Sequence, residues 1–226
     1  MNTPTRALRV WDFPTRVFHW LLAFCVISSL ISGEIGGGAM VWHFRLGYCV
    51  IALLFFRVVW GFVGGHWSRF RQFFYSPLTI LRFLRGQSKP EYDIGHSPLG
   101  SLSVWGLLFI LSAQVASGLM SDDEIASQGL LVQFISSATS SLATGYHKHW
   151  GKSLIIVLLC LHIGAVLFYL FKKKDNLILP MLHGDKESHY TDVLPASKDA
   201  FAQRITALAI FTVIACAVAY TDQRLG

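Results

Sequence analysis

Residues 43–64 read HFRLGYCVIALLFFRVVWGFVG, and their reading decides the fold class. No residue between Arg45 and Arg57 carries a charge. As a helix rising about 1.5 Å per residue, the stretch is about 33 Å long, enough to cross a hydrocarbon core of about 30 Å. A polar side chain inside such a helix is costly, so it faces the bundle interior and finds a partner there. His43 opens the stretch, and Arg57 returns to nearly the same helix face about 21 Å lower. One helix thus presents two polar groups to the interior at two depths.

Four more apolar segments lie outward from this one, at about 16–33, 99–120, 150–171 and 204–221. They predict an all-α transmembrane helical bundle, a four-helix core with a fifth, C-terminal transmembrane helix. On this reading residues 1–187 form one membrane domain, and 188–226 hold a connecting loop and the fifth helix. Asp12 and Pro14 mark the start of the first helix, and Ser97-Pro98 that of the third. Composition agrees: in 226 residues, 53% are hydrophobic and 14% charged, with a mean hydropathy of +0.49. A soluble domain carries about 25% charged residues. The apolar stretch after Arg16 lacks a small-residue cleavage site and reads as a retained helix. Cys25, Cys49, Cys160 and Cys216 fall in different apolar blocks without a C-x-x-C pair, so they read as packing residues, not disulfides, zinc ligands or c-type haem attachments.

Cations alternate along the chain. Arg6, Arg9 and Arg16, then Arg69, Arg71, Arg82, Arg85 and Lys89, then Lys172, Lys173, Lys174, Lys186, Lys198 and Arg204 occupy one set of segments. The opposite set holds Glu34, Asp122, Asp123 and Glu124, with Lys148 and Lys152 as its main cations. The positive-inside rule puts the N-terminus in the cytoplasm and the C-terminus outside. Topology therefore accounts for the pI of 9.3, and no nucleic acid is implied. Trp11, Trp42, Trp60, Trp67 and Trp150 stand at predicted boundaries as an interfacial belt. Residues 70–86 suit a surface helix, and 184–199 a polar loop.

Four histidines fall in or at the ends of the apolar segments: His19, His43, His162, and either His147 or His149. A lone membrane histidine is more often hydrogen-bonded to a neighbouring helix than bound to metal, but these pair by depth. His43 meets His147 near the outer face, and His19 meets His162 toward the inner face. His147 and His162 are about 22 Å and about 60° apart on one helix, so both address one groove. Two buried haems with two imidazoles each would use all four. Gly47 and Gly151 follow His43 and His147 by four residues and leave a gap one turn along for a porphyrin plane. His149 has Ser153 in that register, which favours His147. Two separated pairs make a poor tetrahedral zinc site. Arg57 and Arg16 are candidates to balance haem propionates, with Arg45 weaker. His66, His96, His183 and His189 fall in predicted loops, His96 within reach of a propionate or quinone. Ser112 and Gln114 leave the third helix a packing role.

The pieces V-W-D-F-P-T-R-V-F-H-W (10–20), H-F-R-L-G-Y (43–48), F-R-V-V-W-G-F-V-G (56–64), G-H-S-P-L-G (95–100), L-H-I-G-A-V-L (161–167), K-D-N-L (174–177) and G-D-K (184–186) share an order and spacing. Over most of residues 10–187 the chain resembles the bacterial cytochrome b561 and nickel–iron hydrogenase b-type cytochrome family. The resemblance implies two bis-histidine b haems in a bacterial inner membrane, with ligands at His19, His43 and His162. Family members usually place the two helix-4 ligands fourteen residues apart. Here Lys148 holds that register, and His147 and His149 flank it.

The expected function is electron transfer across the bilayer between a quinone pool and a periplasmic c-type cytochrome or oxidoreductase subunit. Two alternatives are a superoxide:quinone oxidoreductase, with Lys148 and Lys152 drawing the anion, and a haem-free membrane transporter that uses the buried histidines.

Overall fold

The computed structural model describes residues 6–125, 127–188 and 194–225; His189, expected in a loop, lies outside them. Strand β1 (Arg6–Arg9) leads into helix α1 (Phe13–Ile35). Asp12 caps α1 by accepting the Thr15 N–H at 2.8 Å. A four-residue connection separates α1 from α2 (Met40–Val63). Gly36 and Gly37 turn it with φ of 66° and 54°, a region that side chains disfavour. Short helices α3 (Pro77–Leu84) and α4 (Pro90–Ile94) follow, then α5 (Pro98–Leu119), where Ser97 Oγ accepts the Gly100 N–H at 3.1 Å.

The next span runs Ser137–Lys173 without a break. It comprises α6 (Ser137–Gly145), a wide π turn (Tyr146–Gly151), α7 (Lys152–Phe168) and a second π turn (Tyr169–Lys173). Helix α8 (Ile178–His183), strand β2 (Asp185–Ser188) and helix α9 (Phe201–Leu225) complete the chain.

Among the described residues, five helices are long and apolar enough to cross a membrane. Their outer faces carry large apolar side chains, such as Phe55, Phe62, Phe109 and Val213, each at least 60% exposed. A water-soluble monomer does not present so much apolar surface, and lipid is its matching solvent. The chain is a multi-pass membrane protein.

Three sequence expectations need correction. The fourth span begins at Ser137, not near 150, because Ser136 caps it by accepting the Thr139 N–H at 3.2 Å. Small and hydroxylated residues follow, and they hid this first turn from a hydropathy reading. The stretch expected as a loop after 184 contains β2, which pairs antiparallel with β1. Trp11, Trp60 and Trp67 are buried, not interfacial: Trp60 Nε1 donates to Asp12 at 3.1 Å and Trp67 Nε1 to the Pro195 carbonyl at 2.9 Å. Trp42 and Trp150 remain exposed.

The chain divides into two compact units, and each of the five long helices supplies residues to both. The first comprises Met1–His19, Arg57–Trp105 and His162–Ala209. Its core packs Leu8 of β1 with Val10, Trp11, Trp67 and Ile94. Asp199 ties the start of α9 to that of α1, accepting from Arg204 at 3.2 Å and from Phe13 N–H and Arg9 at 3.1 Å. The second comprises Trp20–Phe56, Gly106–Leu161 and Ile210–Gly226.

Asp12 is fully buried and accepts four hydrogen bonds, from Thr15 N–H, Trp60 Nε1, Gly65 N–H and Ser68 Oγ. An unsatisfied buried donor costs about 1–3 kcal/mol. Asp12→Ala orphans several at once and is expected to destabilise the fold by about 3 kcal/mol or more. Asp12→Asn, which retains one acceptor, loses less. Thermal unfolding in detergent measures both, and a Asp12→Ala protein as stable as the parent would remove Asp12 from this role.

Candidate functional site: two imidazole couples

In the second unit, α2 carries His43 in its first turn and the π turn carries His147. Their ring centroids lie 5.9 Å apart with the planes at 88°. His43 Nδ1 lies 2.9 Å from the Ser29 carbonyl, and His147 Nδ1 lies 2.8 Å from the Gln114 carbonyl. A carbonyl oxygen only accepts, so each Nδ1 carries the proton and each Nε2 keeps its lone pair. Glycines let the rings lie against the neighbouring helices. A Cβ at Gly33 would stand 3.1 Å from His43 Nδ1, and one at Gly118 only 2.7 Å from His147 Cε1. Both rings line a cavity of about 790 Å³ together with Gly47, Leu111 and Ile155, within the range of ligand sites. The space beside Gly47 is open.

The π turn brings His147 into the couple. A widened turn absorbs one residue, so the fifteen residues from His147 to His162 cover the rotation of about fourteen in a regular helix. Gln114 holds the turn: its Nε2 donates to the His147 carbonyl at 3.0 Å while its own carbonyl takes the His147 ring proton. At Gly151, where the sequence suggested open room, a side chain would collide with the Gln114 amide and Tyr146. Gly151 thus admits Gln114 beside the wide turn. Helix α5 does more than pack, and the signal in the sequence was a lone amide inside an apolar run. His149 also borders the cavity, but its side chain is exposed. Lys152, at the same cavity, pairs with Glu34 at 2.6 Å.

In the first unit, His19 of α1 and His162 of α7 have ring centroids 6.3 Å apart at 49°. Arg57 is 4% exposed, with its guanidinium 4.6 Å from the Phe70 ring centroid and 5.7 Å from that of Phe73. His96, expected in a solvated loop, instead packs 4.8 Å from Trp11 and 4.5 Å from Phe73. Tyr75 Oη holds the His96 carbonyl at 3.0 Å. Burial first, then the fields of Arg57, His162 and His19, push the His96 imidazole down to about 3, so it stays neutral. Arg16 donates to the Leu182 carbonyl and lies 3.8 Å from Asp199, while its buried Nε receives no partner from the chain. Arg45 is exposed, stacked over Trp42 at 5.2 Å.

These donor sets fit haem better than a bare ion. Among the described residues, no three His, Cys, Asp or Glu side chains form a group that could hold a metal ion. The histidines meet in twos, whereas a structural ion such as zinc takes about four protein ligands. A porphyrin supplies four nitrogens itself and asks the protein for two axial ones. Two imidazoles gripping one metal through bonds of about 2.0 Å have centroids about 6 Å apart. Both couples meet that separation.

The comparisons with known proteins agree. The family described as Prokaryotic cytochrome b561 matches residues 10–184. The "Probable Ni/Fe-hydrogenase B-type cytochrome subunit" of Bradyrhizobium diazoefficiens is 24% identical over 216 residues, covering 79% of this chain and 85% of that protein. Its namesake in Rhizobium leguminosarum bv. viciae is 23% identical, covering 80% and 89%. For the "Probable Ni/Fe-hydrogenase 1 B-type cytochrome subunit" of Escherichia coli K12, 23% identity extends over 48% of this chain and 57% of that protein. No solved structure matches the chain. The chain belongs to the prokaryotic cytochrome b561 family and is a membrane-spanning b-type cytochrome that binds haem and transfers electrons.

Proposed function

We propose that this cytochrome is a di-haem carrier of the bacterial inner membrane, moving electrons between the quinone pool and a periplasmic redox partner. His43 and His147 would hold one haem b, and His19 and His162 the other. The reading rests on the two imidazole couples, at 5.9 and 6.3 Å. When bound, haem supplies an iron that alternates between ferric and ferrous states. The protein sets that iron's environment. The Ser29 and Gln114 carbonyls hold the Nδ1 protons, which fixes the tautomer and makes each Nε2 a stronger ligand. His96 lies within the fields of the Arg57 cation and of both His19 and His162. Arg16, whose buried Nε receives no hydrogen bond from the chain, stays a candidate to balance a propionate, whereas Gly151 admits the Gln114 amide and drops out.

The basic loops belong to the first unit, and Glu34, Asp122, Asp123 and Glu124 to the second. By the positive-inside rule the N-terminus is cytoplasmic and the C-terminus periplasmic. The relatives' names favour an oxidoreductase subunit over a soluble c-type cytochrome as the partner. Superoxide chemistry draws no support from Lys152, whose charge is balanced by Glu34.

Haem quantification with spectrally resolved redox titration tests the ligands. Wild type is expected to hold two haems per chain, His147→Ala and His162→Ala one each, and His149→Ala two. Loss of a haem in His149→Ala but not in His147→Ala would reverse the assignment. The wide turn makes a separate prediction. Gly118→Val drives a side chain into the His147 ring and is expected to cost one haem, while Gly106→Val, where a Cβ meets nothing within 4 Å, keeps both. Equal haem content in the two variants would show that Gly118 gives the ring no needed room.

A further inference from the structure

Among the buried side-chain nitrogens of the first unit that receive no hydrogen bond from the chain are Arg57 Nη1, His96 Nδ1 and Trp105 Nε1. They come from α2, the segment before α5, and α5 itself, yet they gather around one pair of rings. The Arg57 guanidinium lies 4.6 Å from the Phe70 centroid and 5.7 Å from that of Phe73. The His96 ring lies 4.5 Å from Phe73, and Trp105 lies 4.9 Å from Phe70 and 5.8 Å from Phe73. Buried polar groups are seldom left unpaired, and three in one cluster call for a shared partner.

The chemistry of the three restricts that partner. Arginine and the indole N–H donate and never accept, so the ligand must offer acceptor oxygens. Arg57 brings a permanent positive charge to a site only 4% exposed. The nearby acid, Asp12, already accepts four other hydrogen bonds. A quinone carbonyl would satisfy the donors but not the charge, whereas a carboxylate satisfies both.

We propose that Arg57, His96 and Trp105 form one carboxylate-binding cluster, and that it takes the propionate arms of the haem held by His19 and His162. The inference rests on the ligand assignment above and extends it to two residues that do not touch the iron. Each donor disperses negative charge that would otherwise favour the ferric state, so losing one lowers the potential of that haem alone.

The test is a redox titration of the full-length protein at pH 8, where the carboxylates are ionised, with His96→Phe and Trp105→Phe against wild type. Each protein is loaded either with haem b or with haem dimethyl ester, whose carboxylates are blocked. With haem b, both variants are expected to retain two haems and to show a lowered potential at one of them. With the ester, variants and wild type are expected to coincide. A difference that persists with the ester, or none with haem b, overturns the cluster. Unchanged potentials with a raised KM for quinol also overturn it, in favour of a quinone site. If either variant fails to fold, Arg57→Lys, which keeps the charge but loses the fork, takes its place with the same criterion. His162→Ala separates the two readings. Retention of both haems there sinks the ligand assignment, whereas loss of one, with potentials unmoved in the other variants, sinks the cluster alone.

Discussion

An imidazole in hydrocarbon must find a partner for each of its two nitrogens, and that constraint organises this protein. A buried polar atom without one costs about 1–3 kcal/mol, equivalent to about a 5- to 150-fold preference for the arrangement that supplies it. For His43 and His147 the supply comes from main-chain carbonyls, Ser29 of α1 and Gln114 of α5. A main-chain carbonyl cannot rotate away as a side chain can. The tautomer and the direction of each Nε2 therefore follow from the positions of two helices. The close approach that this needs explains why Gly33 and Gly118 face the rings: a methyl group at Gly118 would overlap the His147 ring, and one at Gly33 would press tightly on His43.

The wide turn at Tyr146–Gly151 follows from the same constraint. A regular helix would leave the fifteen-residue interval from His147 to His162 out of step by about 60°, and a turn that takes up one extra residue reduces the offset to about 40° the other way. Such a turn weakens the local ladder of main-chain bonds and needs support from outside the helix. Gln114 provides it through a bond to the His147 carbonyl, and Gly151 admits the amide. The distortion, the amide and the glycine act as one device, each of little use without the other two.

Most of the fold was legible because lipid punishes exceptions. Five apolar runs predicted five spans, and the first three closely match Phe13–Ile35, Met40–Val63 and Pro98–Leu119. The start of the fourth was missed because Ser137–Gly145 is rich in serine and threonine, which hydropathy scores as loop but which can bond back into a helix. The tryptophans misled for a related reason. At a membrane boundary an indole suits either the interface or a buried acceptor, and only the fold brings Asp12 to Trp60 and Pro195 to Trp67. Pairing the four histidines by depth used helix rise alone, and the couples His43–His147 and His19–His162 match it. The roles of Gln114 and His96 depend on contacts between segments far apart in the chain, which no local pattern encodes.

His96 shows how the two kinds of information differ. In sequence it is one polar residue beside Ser97-Pro98, in a segment too short and too mixed to read as buried. In the fold, Tyr75 holds its carbonyl while Trp11 and Phe73 pack around its ring. An imidazole kept neutral there adds hydrogen-bonding capacity without a second positive charge beside Arg57. A lysine at the same place would bring two cations into one apolar enclosure, and an aliphatic residue would leave an acidic ligand to Arg57 and Trp105 alone. A neutral donor next to a single fixed cation can hold a negatively charged group without itself becoming charged when that group is absent, so the site keeps its shape in both conditions.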